Sequence, residues 1–268
     1  MTTKYDFNFG FTPLESGFAN MDIDRLMVAK MDVKAISVRV FTWKKPTISY
    51  GLNQNPYRRI NIEKCLSDGI ELVARPTGGR EILHGWDLCL SVILPAQEEN
   101  PGNEFSRAFD DINRIIQRAL TRMGIKDTEY HSVTKKGGIK NGPCFSQIDR
   151  GEISVNGKKI VASAQRIFKS AVLQQSSISL KKPDFDITSY LKIHAGLEMS
   201  KNFVNSVAYL EDVLDETFSV SGIVEEIKGA FEERLGKSGI LKLPNDFGLY
   251  PKNKRRINLK QIDARGGD

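Results

Sequence analysis

The chain has three cysteines, Cys65, Cys89 and Cys144, and only one sits where a thiol could work. Cys65 falls in an apparent helix and Cys89 in an apolar strand, the settings of ordinary buried thiols. Cys144 ends a long polar, glycine-rich stretch (134–143, TKKGGIKNGP) and stands between Pro143 and Phe145. A loop cysteine near cations can have a lowered pKa and act as a nucleophile; the plainer reading is an inert loop thiol. An odd number of cysteines without CxxC spacing argues against a disulfide framework and against a zinc site, so no metal is expected.

The cation that would activate Cys144 is a histidine or a lysine. His84, His131 and His194 are the only histidines, and His84 belongs to the Arg80–Asp87 loop, where it either lines the same pocket or is a satisfied structural histidine. Lysine has the better case. After Asn156-Gly157, alternate residues of a strand face opposite sides. Lys158, Ile160, Ala162 and Ala164 form the more apolar set, and Lys159, Val161, Ser163 and Gln165 the polar one. The polar set begins next to Cys144 and is a candidate pocket wall, or else one face of a solvated hairpin. Arg75-Pro76-Thr77-Gly78-Gly79-Arg80 is neither a Walker loop nor a dinucleotide fingerprint. Its glycines permit close backbone approach to a ligand and its arginines suit anions, although a tight turn between strands explains the same residues.

These residues need elements to hold them. Residues 18–31 place apolar side chains near a helical period. Ala35–Thr42 and Thr47–Tyr50 read as strands around Lys44-Lys45-Pro46, Ile60–Asp68 as a short helix, and Ile70–Ala74 and Leu88–Leu94 as strands. Phe105–Met123 is the clearest helix, with one apolar stripe and Gly124 as its C-terminal cap. Ile153–Val155, Asn156-Gly157 and Lys158–Phe168 make a hairpin, because Asn-Gly takes the turn that matches strand twist. Val172–Leu180 follows as a strand, then Val204–Leu214 and Ile223–Leu235 as amphipathic helices.

The order implies an α+β fold with a central mixed, largely antiparallel sheet flanked by helices. The expected division is a catalytic core over 1–183, a small helical C-terminal part over 184–251 packed on that core, and a basic tail over 252–268. With 268 residues, roughly three quarters of the unfolded surface can be buried, so the core needs no staples. Hydrophobic residues at 40% and charged residues at 27% are ordinary for a soluble protein. The N-terminus lacks a signal-peptide pattern and no apolar stretch reaches the roughly 20 residues that cross a bilayer, so a cytoplasmic location is expected. A net charge of +6 favours an acidic partner, and by charge alone nucleic acid, anionic membrane and small acidic carrier proteins all qualify.

Taken together the segments resemble the lipoate–protein ligase and octanoyltransferase family. Residues 75–94 (RPTGGREILHGWDLCLSVIL) look like its arginine-glycine-glycine loop, histidine and following strand. Residues 157–166 (GKKIVASAQR) are similar to its lysine-strand block, and Trp43, Pro46, Ser49, Gly51 and Gln54 echo an upstream pattern. Pro143-Cys144-Phe145 points to the cysteine-dependent octanoyltransferases rather than the ATP-dependent ligases. The resemblance implies a biotin/lipoate ligase-like fold and transfer of an octanoyl group through a Cys144 thioester, without a cofactor. It implies Cys144 as nucleophile and Lys159 as its electrostatic and proton-handling partner. Arg75, Thr77, Gly78, Gly79, His84, Ser163 and Ala164 are expected to shape the substrate pocket. The implied donor is octanoyl-acyl carrier protein, and the implied acceptor is a lipoyl domain of glycine-cleavage H protein or of a 2-oxoacid dehydrogenase subunit. Neither membrane nor nucleic acid is expected as a partner, the basic run Lys252–Arg256 reading as a solvated terminus. Rival expectations are an ATP-dependent lipoate–protein ligase, a lipoyl amidotransferase acting between lipoyl domains, and a non-catalytic carrier-binding relative. Glu81, Gly85-Trp86, Ala162 and Gln175-Ser176 depart from the family pattern and bear on substrate choice.

Overall fold

In the computed structural model the described residues are 6–96, 101–132, 144–146, 148–192, 205–214 and 217–243. The strands are β1 (Asp6–Glu15), β2 (Ala35–Trp43), β3 (Thr47–Tyr50), β4 (Glu71–Ala74), β5 (Ile82–His84), β6 (Asp87–Pro95), β7 (Thr128–Tyr130), β8 (Ile153–Val155), β9 (Lys158–Ile167), β10 (Ala171–Ser179) and β11 (Gly239–Ile240). The helices are α1 (Gly17–Ala29), α2 (Pro56–Arg59), α3 (Ile62–Ser67), α4 (Pro101–Arg122), α5 (Leu210–Val213) and α6 (Val220–Leu235), with single 3₁₀ turns at Cys144–Ser146 and Ile187–Tyr190.

Eight strands form one sheet in the order β11-β1-β2-β6-β10-β9-β8-β7, and β4-β3-β5 form a small second sheet. In the large sheet β1 runs parallel to β2 and β11, and every other pairing is antiparallel. The fold is therefore the mixed, largely antiparallel sheet with flanking helices that the element order implied. One face carries α4 and α6 over a core that includes Val38, Leu90, Ile116, Ile160, Val161 and Phe231. The α4 stripe works as its period demands: Ile112, Ile115, Ile116, Ala119 and Leu120 are all buried. Across the helix pair Arg122 meets Glu226 at 2.7 Å and also pairs with Glu233.

The opposite face carries α1, whose Met21, Ile23 and Met27 are buried, and leaves a hollow between β6, β9, β10 and the small sheet. Asn156 and Gly157 turn the β8–β9 hairpin with φ of 51° and 74°, as the sequence required, and Gly124 ends α4 at φ 88°.

Two expectations change. β1 was not anticipated, although Phe7, Phe9 and Phe11 alternate; Phe7 and Phe9 are buried, and Phe7 stacks on Phe231 of α6 at 6.0 Å. The helix expected over Val204–Leu214 is interrupted: Val207 pairs with Lys159 as a parallel bridge and Ala208 donates its N–H to the Lys159 carbonyl at 2.9 Å. Val207 and Tyr209 instead cover the lysine strand from outside. The expected tail over 252–268 lies outside the described residues.

Candidate active site

Lys159 is fully buried in β9. An ammonium there needs partners, and it has two: it donates to the Cys144 carbonyl at 2.6 Å and pairs with the Glu152 carboxylate at 2.6 Å. Its position depends on an irregularity in β9. Ser154 pairs with Lys159 and Ile153 with Val161, so Ile160 is the extra residue of a bulge. Consecutive residues Ile160 and Val161 both enter the main core as a result. The strict alternation read from the sequence fails here: Ala162 and Ala164 line the cavity, and Lys159 reaches its wall through the Cys144 carbonyl. Ser163 still borders the hollow, but its hydroxyl donates to Asn113 of α4 at 2.6 Å and shares a hydrogen bond with Ser176 at 2.8 Å.

Cys144 opens the 3₁₀ turn, its N–H held by the Glu81 carbonyl at 2.9 Å. Phe145 is buried with Ile82, Ala162, Val207 and Tyr209, and Cys144 packs half-buried against that group. Burial is the largest influence on the thiol and pushes it above its ordinary value; Lys159 pulls it down, Glu152 pushes it up, and Arg75 and Arg80 pull it down. The lowered thiol pKa that a loop cysteine near cations suggests is thus not met in the resting protein, because desolvation outweighs the cations. Burial likewise lifts the Glu152 carboxyl, against the pull of Lys159 and an N–H from Asp149 at 2.5 Å.

The glycine loop is built around Arg75, whose guanidinium is buried. It donates to the carbonyls of Gly78 (2.5 and 3.0 Å), Arg80 (2.7 Å) and Ser49 (3.2 Å), and to the Ser49 hydroxyl at 3.1 Å. All its N–H directions serve the loop, so Arg75 acts as a strut rather than as an anion ligand. Thr77 is buried and donates to the Gln175 amide oxygen at 2.7 Å, while Gln175 in turn donates to Asp24 at 2.6 Å. Gly79, at φ 92°, borders the cavity; Gly78 sits beside it with open space around its Cα. Gly51 supports the loop from below, its Cα packed directly on the Gly78–Gly79 peptide.

His84 lines the same cavity but is fully engaged. Its Nδ1 meets Asp87 at 2.6 Å, its Nε2 meets the Ser49 hydroxyl at 2.8 Å, and its ring stacks on Trp43 at 4.2 Å. Asp87 also accepts from Ser177 at 2.6 Å and Cys89 at 3.2 Å. Burial alone would raise the Asp87 carboxyl, but the electrostatic pull of His84 and these hydrogen bonds outweigh it and hold it below the usual range. His84, Asp87 and Cys89 are near enough to share an ion, within 4.8 Å, yet the hydrogen bonds among them already use those donor atoms. His131 is remote from this group, bonded to Ser154 at 2.7 Å, and His194 lies outside the described residues.

The cavity has a volume of about 160 Å³. Cys144, Glu152, Arg75 and Arg80 stand at one part of its wall, and Met21, Phe41, Trp43 and Cys89 form an apolar cluster at another. A neighbouring hollow of about 320 Å³, bordered by Trp86, Phe145, Lys182 and Tyr209, shares Ile82 and Ser177 with it. Glu81 lines this second hollow with a fully buried carboxylate held by Arg59 and by Gln54 at 2.9 Å. Sequence reasoning missed Glu152, Asp149, Met21 and Phe41. A signal for Glu152 existed: a lysine on an otherwise apolar strand demands a buried acid, and Glu152 immediately precedes the partner strand β8. An apolar slot ending at a thiol, with a buried ammonium behind that thiol's own carbonyl, can hold an acyl chain and receive its carbonyl carbon.

Comparison with known proteins identifies the family and the fold. The family described as lipoyl protein ligase A/B catalytic domain matches residues 16–232. The octanoyltransferase LipM of Staphylococcus aureus is 30% identical over 242 residues, covering 85% of this chain and 86% of that protein. That of Bacillus subtilis is 27% identical over 228 residues, covering 81% of each. Among solved structures, a lipoate-protein ligase A bound with ATP superposes with a TM-score of 0.69 at 18% identity, over 89% of this chain and 90% of that one. A bipartite lipoate protein ligase from Thermoplasma acidophilum gives 0.71 at 18% identity, over 90% and 88%. At that identity the likeness bears on the fold.

Proposed function

The chain belongs to the lipoyl protein ligase A/B catalytic-domain family, and from that footing we propose that it is an octanoyltransferase of protein lipoylation, working through an acyl thioester on Cys144. The observation that carries the site assignment is the 2.6 Å contact between the Lys159 ammonium and the Cys144 carbonyl, in the wall of an apolar cavity that the thiol borders.

The donor is the octanoyl thioester of acyl carrier protein. The Cys144 sulfur attacks its carbonyl carbon, a new C–S bond forms, and the carrier's phosphopantetheine thiol leaves. One thioester replaces another, so the exchange is nearly balanced and needs no ATP. A lysine amine of the acceptor lipoyl domain then attacks the Cys144 thioester, forming an amide and returning the thiol. The amide is the more stable product and draws the cycle forward. Lys159 stabilises the thiolate and the oxyanion that forms at each attack, in a site dry enough for one charge to count. Met21, Phe41 and Trp43 receive the acyl chain, and Arg75, Thr77, Gly78 and Gly79 set the shape of the loop beside it. His84, Ser163 and Ala164 complete the pocket wall.

The acceptor is the lipoyl domain of glycine-cleavage H protein or of a 2-oxoacid dehydrogenase subunit. The net charge of +6 supports docking of acidic carrier domains. Among the described residues no helix is long and apolar enough to cross a membrane, and three unpaired cysteines fit a reducing compartment, so we place the activity in the cytoplasm. Octanoyl transfer from carrier protein to a lipoyl domain, assayed without nucleotide, tests the reading. Product should form without ATP and vanish in Cys144→Ala. Turnover that requires ATP and releases pyrophosphate in Cys144→Ser would replace it with the ligase reading.

A further inference from the structure

The Lys159 ammonium is held between the Glu152 carboxylate and the backbone carbonyl of Cys144, the residue whose thiol would become anionic on attack. Glu152 is its present counter-ion at 2.6 Å, with both side chains buried. Its second partner is the carbonyl of Cys144, the residue whose sulfur borders the same cavity as Glu152. A neutral thiol beside an intact ion pair is a low-energy arrangement in a desolvated site. A thiolate beside that same pair is not, because the Glu152 carboxylate repels it.

We propose that Glu152 is the proton acceptor for Cys144, reached through Lys159, so that the ammonium exchanges a carboxylate partner for a thiolate when the enzyme attacks. The inference rests on Cys144 being the acylated residue, as proposed above. As the sulfur approaches the donor carbonyl, its proton passes to Nζ while an Nζ proton passes to the Glu152 oxygen. The group changes from thiol, ammonium and carboxylate to thiolate, ammonium and carboxylic acid, and its net charge is unchanged. Departure of the carrier thiolate takes the proton back along the same path. In the second half, Glu152 receives the acceptor amine's proton and returns it to the Cys144 sulfur. No charge enters or leaves the buried site at any stage.

The surroundings suit that exchange. Burial raises the Glu152 carboxyl and so strengthens it as a base, while it raises the Cys144 thiol as well and keeps that proton on sulfur until attack. Among the described residues the other charged or titratable groups lining the cavity are Arg75 and Arg80 from the glycine loop, Asp149, His84 and Cys89. Arg75 and Arg80 favour the thiolate, Arg80 lies 3.7 Å from Asp149, and His84 is occupied by Asp87. Glu81 is turned away toward Arg59, and His131 donates its backbone N–H to the Glu152 carbonyl while its ring bonds Ser154. Glu152 acts through Lys159, so it is a positioning residue with a proton-storing role.

The test is a pair of measurements on Glu152→Gln, a near-isosteric change. Iodoacetamide alkylation of Cys144, followed by peptide mass, reads thiolate availability without needing a proton acceptor. Octanoyl transfer to a lipoyl domain reads the full cycle. With the carboxylate gone and the ammonium unopposed, alkylation at neutral pH should accelerate roughly tenfold and its pH profile should move down by about one unit. Octanoyl transfer should fall by about a hundredfold, the range of a lost acid–base group. A merely structural role would slow both. Should Glu152→Gln fold poorly by thermal melt, Lys159→Met and the double variant carry the test: alkylation should slow in Lys159→Met and recover in part in the double variant. Equal or slower alkylation in a folded Glu152→Gln, or no recovery in the double variant, overturns the exchange. Wild-type protein that takes an octanoyl group on Cys144 while Glu152→Gln transfers it at the same rate overturns this inference alone. Wild-type protein that takes none overturns the Cys144 reading with it.

Discussion

Substituting Gly51 by alanine should do more harm than substituting Gly78, although Gly78 belongs to the conspicuous glycine pair. A Cβ at position 51 would lie 2.2 Å from the Gly79 carbonyl oxygen, 2.9 Å from the Gly78 carbonyl carbon and 3.0 Å from the Gly79 nitrogen. A carbon–oxygen contact settles at about 3.3 Å, so the backbone must separate by roughly 1 Å. Three hydrogen bonds resist that movement: Leu52 N–H to the Thr77 carbonyl at 2.9 Å, Gln54 N–H to the Gly51 carbonyl at 2.9 Å, and Gly51 N–H to the Gln54 side chain at 3.0 Å. The strain should cost about 1–3 kcal/mol of stability. It also displaces the loop that carries Glu81, whose carbonyl holds the Cys144 N–H, and a misplacement of that size is worth on the order of a hundredfold in rate. A Cβ at Gly78 meets nothing within 4 Å, and Gly78→Ala should stay within about twofold of wild type. Initial rates of octanoyl transfer and thermal melts of both variants give the answer. Equal losses, or an unaffected Gly51→Ala, would refute the strut-and-floor account of the loop.

Breaking the buried Glu81–Arg59 pair should be asymmetric. Arg59→Met strands a fully buried carboxylate and should lower the melting temperature by roughly 6–12 °C, whereas Glu81→Gln leaves an arginine that reaches solvent and should cost about 1 kcal/mol. Gly151→Ala places a Cβ 1.9 Å from the Phe109 ring at φ 84°, so it should destabilise the fold and, by shifting Glu152, reduce transfer further than the melt predicts. Because burial raises the Cys144 thiol, wild-type alkylation should climb about tenfold per pH unit up to and beyond the ordinary thiol value of roughly 8.5; a plateau below pH 8 would contradict it. Met21→Ala, which opens the apolar end of the cavity, should raise the rate with decanoyl donor relative to octanoyl donor, read as a ratio of initial rates.

Most elements of the fold were legible because their signals are local. The α4 stripe, the Asn156-Gly157 turn and the apolar run of β6 each announce themselves within a dozen residues. β1 also carries a local signal, the alternation of Phe7, Phe9 and Phe11 with Asn8 and Gly10. The interruption at Val207–Tyr209 was not legible, since it arises from pairing with Lys159 nearly fifty residues earlier. At the site, Cys144 and Lys159 could be singled out by residue type and by family resemblance. The bulge at Ile160 could not, because a one-residue change of register leaves composition untouched while reversing which face a side chain occupies. Arg75 shows the opposite limit: its residue type suggests an anion ligand, and only the positions of the Ser49, Gly78 and Arg80 carbonyls reveal a strut.

Intact and peptide mass spectrometry of the protein mixed with octanoyl-acyl carrier protein, then chased with a lipoyl domain, tests the central claim most directly. The account predicts a single octanoyl group on the peptide containing Cys144, removed by hydroxylamine and transferred on chase to one acceptor lysine. An adduct on Cys65 or Cys89, no adduct at all, or undiminished product from Cys144→Ala would contradict it.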